Sequence, residues 1–415
     1  MQYELTAPRQ IVGEIDLPSS KSISNRALVI SALAGGDVIP CNLSDCDDTD
    51  VMVKALTDMP DVIDIKAAGT AMRFMTAFLS VRPGTHVITG TDRMCHRPIG
   101  VLVNALRRLG ANIEYVGEEG FPPLRITGGE IEGGTLEIQG NVSSQYISAL
   151  LMIGPVMRSG LTLNLTGEII SRPYIDLTLC MMGDFGADAV WKDNRTIEVK
   201  PRPYAAHHYD IENDWSAASY WYEMVALGGP GSRITLSGLT DSSRQGDSSV
   251  RYLFSLLGVK TVFDVSGSDV PRMVTIENTG RMVPRLEYDF INAPDLAQTF
   301  VTCCAALGVP FHFKGLQTLK IKETDRIEAL KTEMRKLGYV IEEIDGRELR
   351  WTGERCDAEP IPVIDTYEDH RMALAFAPLS MKIDGLRINN PGVVTKSYPQ
   401  YWNDLRRVDF DIRQL

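Results

Sequence analysis

The 415-residue sequence predicts an α/β protein assembled from six similar units. Three observations carry that expectation. Six dense apolar stretches recur, each opened by a small or polar cluster; helical segments ending at glycine alternate with them; and short segments of alternating polarity follow the glycines. The first kind begins at Ser22, Gly69, Ser143, Ser216, Asp295 and Asp369, at intervals of 47, 74, 73, 79 and 74 residues. These stretches are apolar nearly all round, so buried helices are expected, with the Ser, Asp or Gly beginnings as caps or first turns.

The second kind covers residues 103–110, 177–186, 252–258 and 330–338, each closing on a glycine suited to a left-handed C-terminal cap. Segments such as 111–116 (ANIEYV) and 339–344 (YVIEEI) then alternate as strands do. A complete unit thus holds two helices and several short strands in about 70 residues. The first unit is shorter by about 26, and the 13 residues between Ala55 and Gly69 leave no room for the usual strand pair. A length of this size provides two or three domains with substantial cores.

Lys and Arg total 42 against 54 Asp and Glu, a formal net charge of −12. That acidity argues against nucleic acid or a membrane surface as partner, while leaving a local basic site open. A hydrophobic share of 44% and a charged share of 23% describe an ordinary soluble globular chain. No apolar run approaches the ~18 residues of a membrane span. Glu4, Arg9 and Glu14 stand where a signal peptide would be apolar. The seven cysteines are odd in number and scattered, which predicts free thiols and a cytoplasmic setting. Neither Cys-x-x-Cys nor His-Glu-x-x-His spacing occurs, so no metal is expected.

A helix N-terminus offers free amides and partial positive charge to an anion. Basic residues recur near these starts: Lys21, Arg26, Arg73 and Arg371. Arg97, Lys322, Arg326 and Lys396 lie in other polar motifs, and together such cations suit a small, strongly anionic ligand. In the helix expected around KETDR (322–326), Ile327, Leu330, Met334 and Leu337 form an apolar stripe. Continued backward, that helix aims Glu323 at the stripe's centre with Lys322 and Arg326 on its flank, fitting a catalytic acid; a helix beginning after Glu323 would make it part of a salt-bridged approach. Asp295, after Pro294 at a helix start, serves the helix dipole or acts as a general base. Ser143, Ser144 and Ser171 are either caps or hydroxyl donors to a phosphate.

Seven motifs occur in order: LPSSKSISNRA (17–27), AGTAMR (68–73), RPIG (97–100), VSSQ (142–145), SRPYID (171–176), KETDR (322–326) and DHRMA (369–373). From about Leu17 to Tyr401 the chain resembles the 5-enolpyruvylshikimate-3-phosphate synthases, the enolpyruvyl transferase family of the shikimate pathway to chorismate and aromatic amino acids. The resemblance implies a two-domain fold, each domain three repeated α/β units around buried helices (an inside-out α/β barrel), with the first unit shortened. It places one domain at residues 18–212 and the other at 1–17 plus 213–415, with the active site in the cleft between them. It further implies transfer of the enolpyruvyl group of phosphoenolpyruvate to the 5-hydroxyl of shikimate 3-phosphate through a tetrahedral intermediate, without metal or organic cofactor, by a monomer.

By the same resemblance, Lys21, Ser22, Arg26, Ser143, Ser144, Gln145, Ser171, Asp295 and Lys322 bind shikimate 3-phosphate. Lys21, Gly69, Arg97, Gln145, Arg326, Arg371 and Lys396 bind phosphoenolpyruvate. Asp295 accepts the hydroxyl proton, and Glu323, with Lys21, protonates the methylene carbon. Gly69 fits because a side chain there would crowd a ligand at the helix start. Ala67 and Phe74 depart from the family's usual Asn and Pro, and Thr318 stands where many members carry Asn; local geometry at Gly69 and sensitivity to glyphosate, the family's phosphoenolpyruvate mimic, turn on the first two. The related transferase acting on UDP-N-acetylglucosamine places a reactive Cys farther before its Arg-Pro pair than Cys95 stands from Arg97. A non-catalytic anion-binding protein would not need Asp295 and Glu323 beside anionic ligands.

Overall fold

The computed structural model describes residues 1–36, 38–264 and 273–415. It divides into two compact units, Met1–Pro18 with Glu212–Leu415, and Ser19–Ile211. Each has its own apolar core.

The chain opens with β1 (Gln2–Thr6) and β2 (Val12–Ile15), then enters the second unit. There α1 (Lys21–Leu33) and α2 (Asp47–Asp58) precede β3 (Val62–Asp64), α3 (Gly69–Ser80), β4 (Gly84–Thr89), the short α4 (Asp92–Cys95), α5 (Gly100–Arg108), β5 (Asn112–Tyr115) and β6 (Leu124–Gly128). The next repeat is β7 (Gly134–Gln139), α6 (Ser144–Ile153), β8 (Leu161–Thr166), α7 (Arg172–Asp184), β9 (Ala189–Trp191) and β10 (Thr196–Val199). Back in the first unit come α8 (Trp215–Gly228), β11 (Arg233–Ser237), α9 (Val250–Leu256), β12 (Val259–Phe263) and β13 (Met273–Asn278). They are followed by β14 (Leu286–Asp289), α10 (Ala297–Leu307), β15 (Phe311–Lys314), α11 (Arg326–Lys336), β16 (Glu342–Ile344) and β17 (Glu348–Trp351). The last repeat holds β18 (Val363–Ile364), α12 (His370–Phe376), β19 (Leu386–Asn389), α13 (Tyr401–Arg407) and β20 (Asp411–Gln414).

Among the described residues one rule generates five four-stranded sheets. A first strand pairs parallel with the strand after the core helix, and an antiparallel pair then completes the sheet, as in the orders β3-β4-β6-β5, β7-β8-β10-β9 and β14-β15-β17-β16. The N-terminal strands enter the same scheme from a distance: β1 pairs with β19 and β20, and β2 pairs parallel with β11. The helices α1 and α2 have no such sheet among the described residues; what stands in its place is one parallel bridge, Cys41 to Asp210. The shortening expected from the sequence falls here.

The core helices are buried on every side because their sequences leave no polar face. All twelve residues of α3 are buried. Its hydroxyls are satisfied within the helix, Thr76 donating to the Met72 carbonyl at 2.7 Å and Ser80 to that of Thr76 at 2.8 Å. The outer helices end at Gly110, Gly186, Gly258 and Gly338, all at positive φ, as the glycine spacing predicted. Among the described residues no helix is long and apolar enough to cross a membrane.

Candidate active site

In the first unit the helix predicted around KETDR begins at Arg326, where Asp325 caps it by accepting from the Ile327 and Glu328 amides at 3.1 Å. Lys322 and Glu323 therefore lie outside the helix, correcting the reading that extended the stripe back through Glu323. The cap fixes instead what Arg326 reaches. Its guanidinium is 1% exposed and forks onto Asp369, with Nε 2.7 Å from Oδ2 and Nη2 3.2 Å from Oδ1. The same group bonds Asp295 Oδ1 through Nη1 and Glu323 Oε2 through Nη2, both at 2.9 Å. Burial disfavours its charge, but Asp369, Glu323 and Asp295 together outweigh burial and hold it above its ordinary value.

Asp295 sits in a single turn (Pro294–Leu296) leading into α10. Lys322 Nζ approaches its Oδ1 at 3.1 Å and Arg371 Nη2 its Oδ2 at 3.2 Å. Burial raises its proton affinity, yet Arg371, Lys322 and Arg326 overcome this and hold the carboxyl well below the usual carboxylate range. Lys396 Nζ lies 3.4 Å from Glu323 Oε1. Asp369, fully buried, caps α12 by accepting from the Arg371 amide at 3.0 Å while gripping Arg326. Two consecutive left-handed residues, Tyr367 (φ 52°) and Glu368 (φ 57°), turn the chain into that cap. The turn is tied to α11, because Tyr367 Oη donates to Glu333 at 2.6 Å and Glu333 also accepts from the Asp365 amide at 3.1 Å.

Asp247, also buried, accepts from Ser216 Oγ beside this cluster. Burial pushes its carboxyl up to about 6, although Arg371 pulls the other way. A carboxyl raised from about 4 favours the fold fully below pH 4 and loses that contribution as pH rises through 6, a swing of about 2–3 kcal/mol. Asp247→Asn is thus expected to raise the thermal midpoint at pH 8 and leave it unchanged at pH 4. Melting curves across that range test this, and equal effects at both pH values would contradict it.

In the second unit α1 begins at Lys21, with Ser20 accepting from the Ile23 amide at 3.4 Å and Lys21 Nζ 3.1 Å from Asp48. Arg26, 2% exposed, donates to Thr178 Oγ1 at 2.8 Å, the Ser22 carbonyl at 2.8 Å and Ser148 Oγ at 3.1 Å. These oxygens are neutral, and burial pulls its pKa down to about 10. Phe74, the departure from the usual Pro, lies beneath its charge at 5.4 Å, with Tyr174 at 5.9 Å. A Cβ at Gly69 would lie 2.6 Å from Arg73 Nη1 and 2.8 Å from Arg97 Nη1. The crowding that calls for glycine therefore has a source in the chain itself, two guanidinium groups gathered at the start of α3. Ser143 caps α6 by accepting from the Gln145 amide at 3.4 Å, and Gln145 Nε2 donates to Thr70 at 3.0 Å. Ser144 is the first residue of α6, and Ser171 precedes α7 with φ 55°.

Guanidinium, ammonium, hydroxyl and carboxyl groups, chemistry suited to anions and to proton transfer, thus stand at helix starts of an α/β repeat. The chain matches the profile of EPSP synthase (3-phosphoshikimate 1-carboxyvinyltransferase) over residues 5–61 and 57–405. It belongs to the EPSP synthase family. A 3-phosphoshikimate 1-carboxyvinyltransferase of Bacteroides fragilis is 59% identical over 413 residues, covering 100% of this chain and 99% of the relative. One of Vibrio atlanticus is 34% identical, covering 96% and 97%. In fold, the chain is similar to EPSP synthase from Acinetobacter baumannii, with a TM-score of 0.77, 21% identity and full coverage of both chains. The enolpyruvyl transferase NikO from Streptomyces tendae gives a TM-score of 0.72 at 15% identity, covering 99% and 98%.

Of the residues singled out by sequence, the first unit joins Asp295, Lys322, Glu323, Arg326, Arg371 and Lys396 in one ion network. The second unit brings Arg97 to Gly69, and holds Lys21, Ser22 and Arg26 on one helix. Sequence reasoning passed over Asp369, whose capping position masked its hold on Arg326. It also passed over Ser148, a hydroxyl in an otherwise apolar helix whose signal is its lack of any surface face, and Thr178, on the buried side of the outer helix α7. Thr318 stays without an assigned contact; its Oγ1 is buried in the turn Gln317–Ile321.

Proposed function

We propose that this member of the EPSP synthase family transfers the enolpyruvyl group of phosphoenolpyruvate to the 5-hydroxyl of shikimate 3-phosphate, releasing phosphate. Family membership along the full length supports the reaction. The observation that carries the residue roles is that Asp295 and Glu323 hang on the same buried guanidinium, Arg326, with Lys322, Arg371 and Lys396 around them.

Held by three cations, Asp295 is a poor base. Substrate phosphate and carboxylate groups that engage Arg371 and Lys322 withdraw positive potential from it and raise its proton affinity. Asp295 then accepts the 5-hydroxyl proton as that oxygen bonds to C2 of phosphoenolpyruvate. Glu323, with Lys21, delivers a proton to C3, giving a tetrahedral intermediate. Return of a C3 proton and cleavage of the C2–O bond expel phosphate and restore the enol ether. Lys21, Ser22, Arg26, Ser143, Ser144, Gln145, Ser171, Asp295 and Lys322 hold shikimate 3-phosphate in this reading, and Lys21, Gly69, Arg97, Gln145, Arg326, Arg371 and Lys396 hold phosphoenolpyruvate. In this reading the enzyme is cytoplasmic and works as a monomer.

The test is phosphate release. Release is expected when both substrates are supplied together and not with either alone. Release from phosphoenolpyruvate without an acceptor, or with a UDP-sugar in its place, would sink the reading.

A further inference from the structure

The segment 207–211 alternates its side chains as an extended strand does. His207 and Tyr209 pack on the buried Phe185 at centroid distances of 5.5 and 5.7 Å, and Ile211 is buried. His207 stays exposed over that ring, and His208 and Asp210, on the other side, are exposed too. Cys41 faces Asp210 across the single parallel bridge, so its side chain shares that exposed side. Three bonds pin the register: the Cys41 amide to the Tyr209 carbonyl at 2.9 Å, the Ile211 amide to the Cys41 carbonyl at 3.2 Å, and Asn42 Nδ2 to the Ile211 carbonyl at 2.7 Å. As a result Cys41 Sγ lies 3.2 Å from His208 Nε2, and the ligand atoms of Cys41, His208 and Asp210 all fall within 4.8 Å of one another.

We propose that Cys41, His208 and Asp210 form a surface site for one borderline-soft divalent cation, zinc being the best match. A thiolate, an imidazole and a carboxylate are the donor types zinc selects, whereas magnesium and calcium favour oxygen alone. Bond lengths of about 2.0–2.3 Å need donor atoms nearer together than 4.8 Å, and rotamer changes of exposed side chains supply the difference. Three protein ligands leave a fourth position for water. Spacing along the chain hides the site, because Cys41 and His208 are 167 residues apart. Its place gives it a role. The other five repeats hold this parallel position with a strand pair inside a four-stranded sheet, and here, among the described residues, one bridge takes its place. A cation would cross-link the connection after α1 to the segment that leads out of the second unit.

The full chain, stripped by a chelator, is titrated with Co2+ alone and then with Zn2+. Expected are a thiolate-to-cobalt charge-transfer band saturating at one equivalent, its displacement by zinc, and a zinc-dependent rise in the melting midpoint. Cys41→Ser should abolish the band, and His208→Ala or Asp210→Ala should weaken binding by at least about tenfold. Cys180→Ser, at another exposed cysteine, should leave it unchanged. Phosphate release by each variant reports that it is folded, independently of the metal. Absence of the band, or its survival in Cys41→Ser, would overturn the proposal.

Discussion

Arg326→Lys is expected to lower folding stability by about 3 kcal/mol and the phosphate-release rate by about a hundredfold or more. A guanidinium has five donors in a rigid plane, and Arg326 spends them on three carboxylates lying in different directions. An ammonium on a shorter reach can satisfy one of them. Asp369 would then be left buried with its negative charge poorly paired, and an uncompensated buried charge is the costly case. Asp295 and Glu323 would lose the strut that holds them at fixed separation, which is why the rate should fall along with stability. Urea unfolding and steady-state phosphate release measure the two effects. A stability change below about 1 kcal/mol would place the network's weight elsewhere.

Asp295→Asn and Glu323→Gln are each expected to cut turnover by about two to four orders of magnitude with little loss of stability. The amides keep the shape of the side chains and remove the groups that take up and deliver protons. The split between constants is the sharper readout. Asp295→Asn removes the carboxylate that competes for Lys322, Arg326 and Arg371, so the cations become more available to substrate anions, and KM should hold or fall while kcat collapses. A variant with normal kcat and raised KM would leave Asp295 with its binding role alone and refute its role as base.

Much of the fold was legible because its core helices have no exposed face. A stretch such as 69–80 cannot be a surface helix, and its small opening residue marks where it begins. Strand pairing was far less legible. Segments of four or five residues carry little pattern, and β1 and β2 find partners on β19 and β11, more than 200 residues away. The site divides in the same manner. Cations at helix starts stand out in an acidic chain, so Lys21, Arg26 and Arg371 could be picked out. Helix boundaries could not be placed to a residue: the apolar stripe of α11 continues on paper through Glu323, and only the Asp325 cap shows that the helix stops short of it. Partners far apart in sequence, such as Arg326 with Asp369 or Arg26 with Thr178, leave no trace in local spacing.

The lack of a sheet for α1 and α2 among the described residues sets apart two layers of the fold. Every residue given a role in binding or proton transfer stands in a helix, at its mouth or in a connecting turn; none stands on a strand. Helices and covering sheets are thus free to change at different rates within the same repeat. Between Ala55 and Gly69 the described residues hold the end of α2 and the strand β3 with no strand pair for α1 and α2, while Lys21 and Gly69 stand on either side. Variation in length within such proteins should accordingly collect in the sheets, and the register of the helix starts should be what evolution holds still.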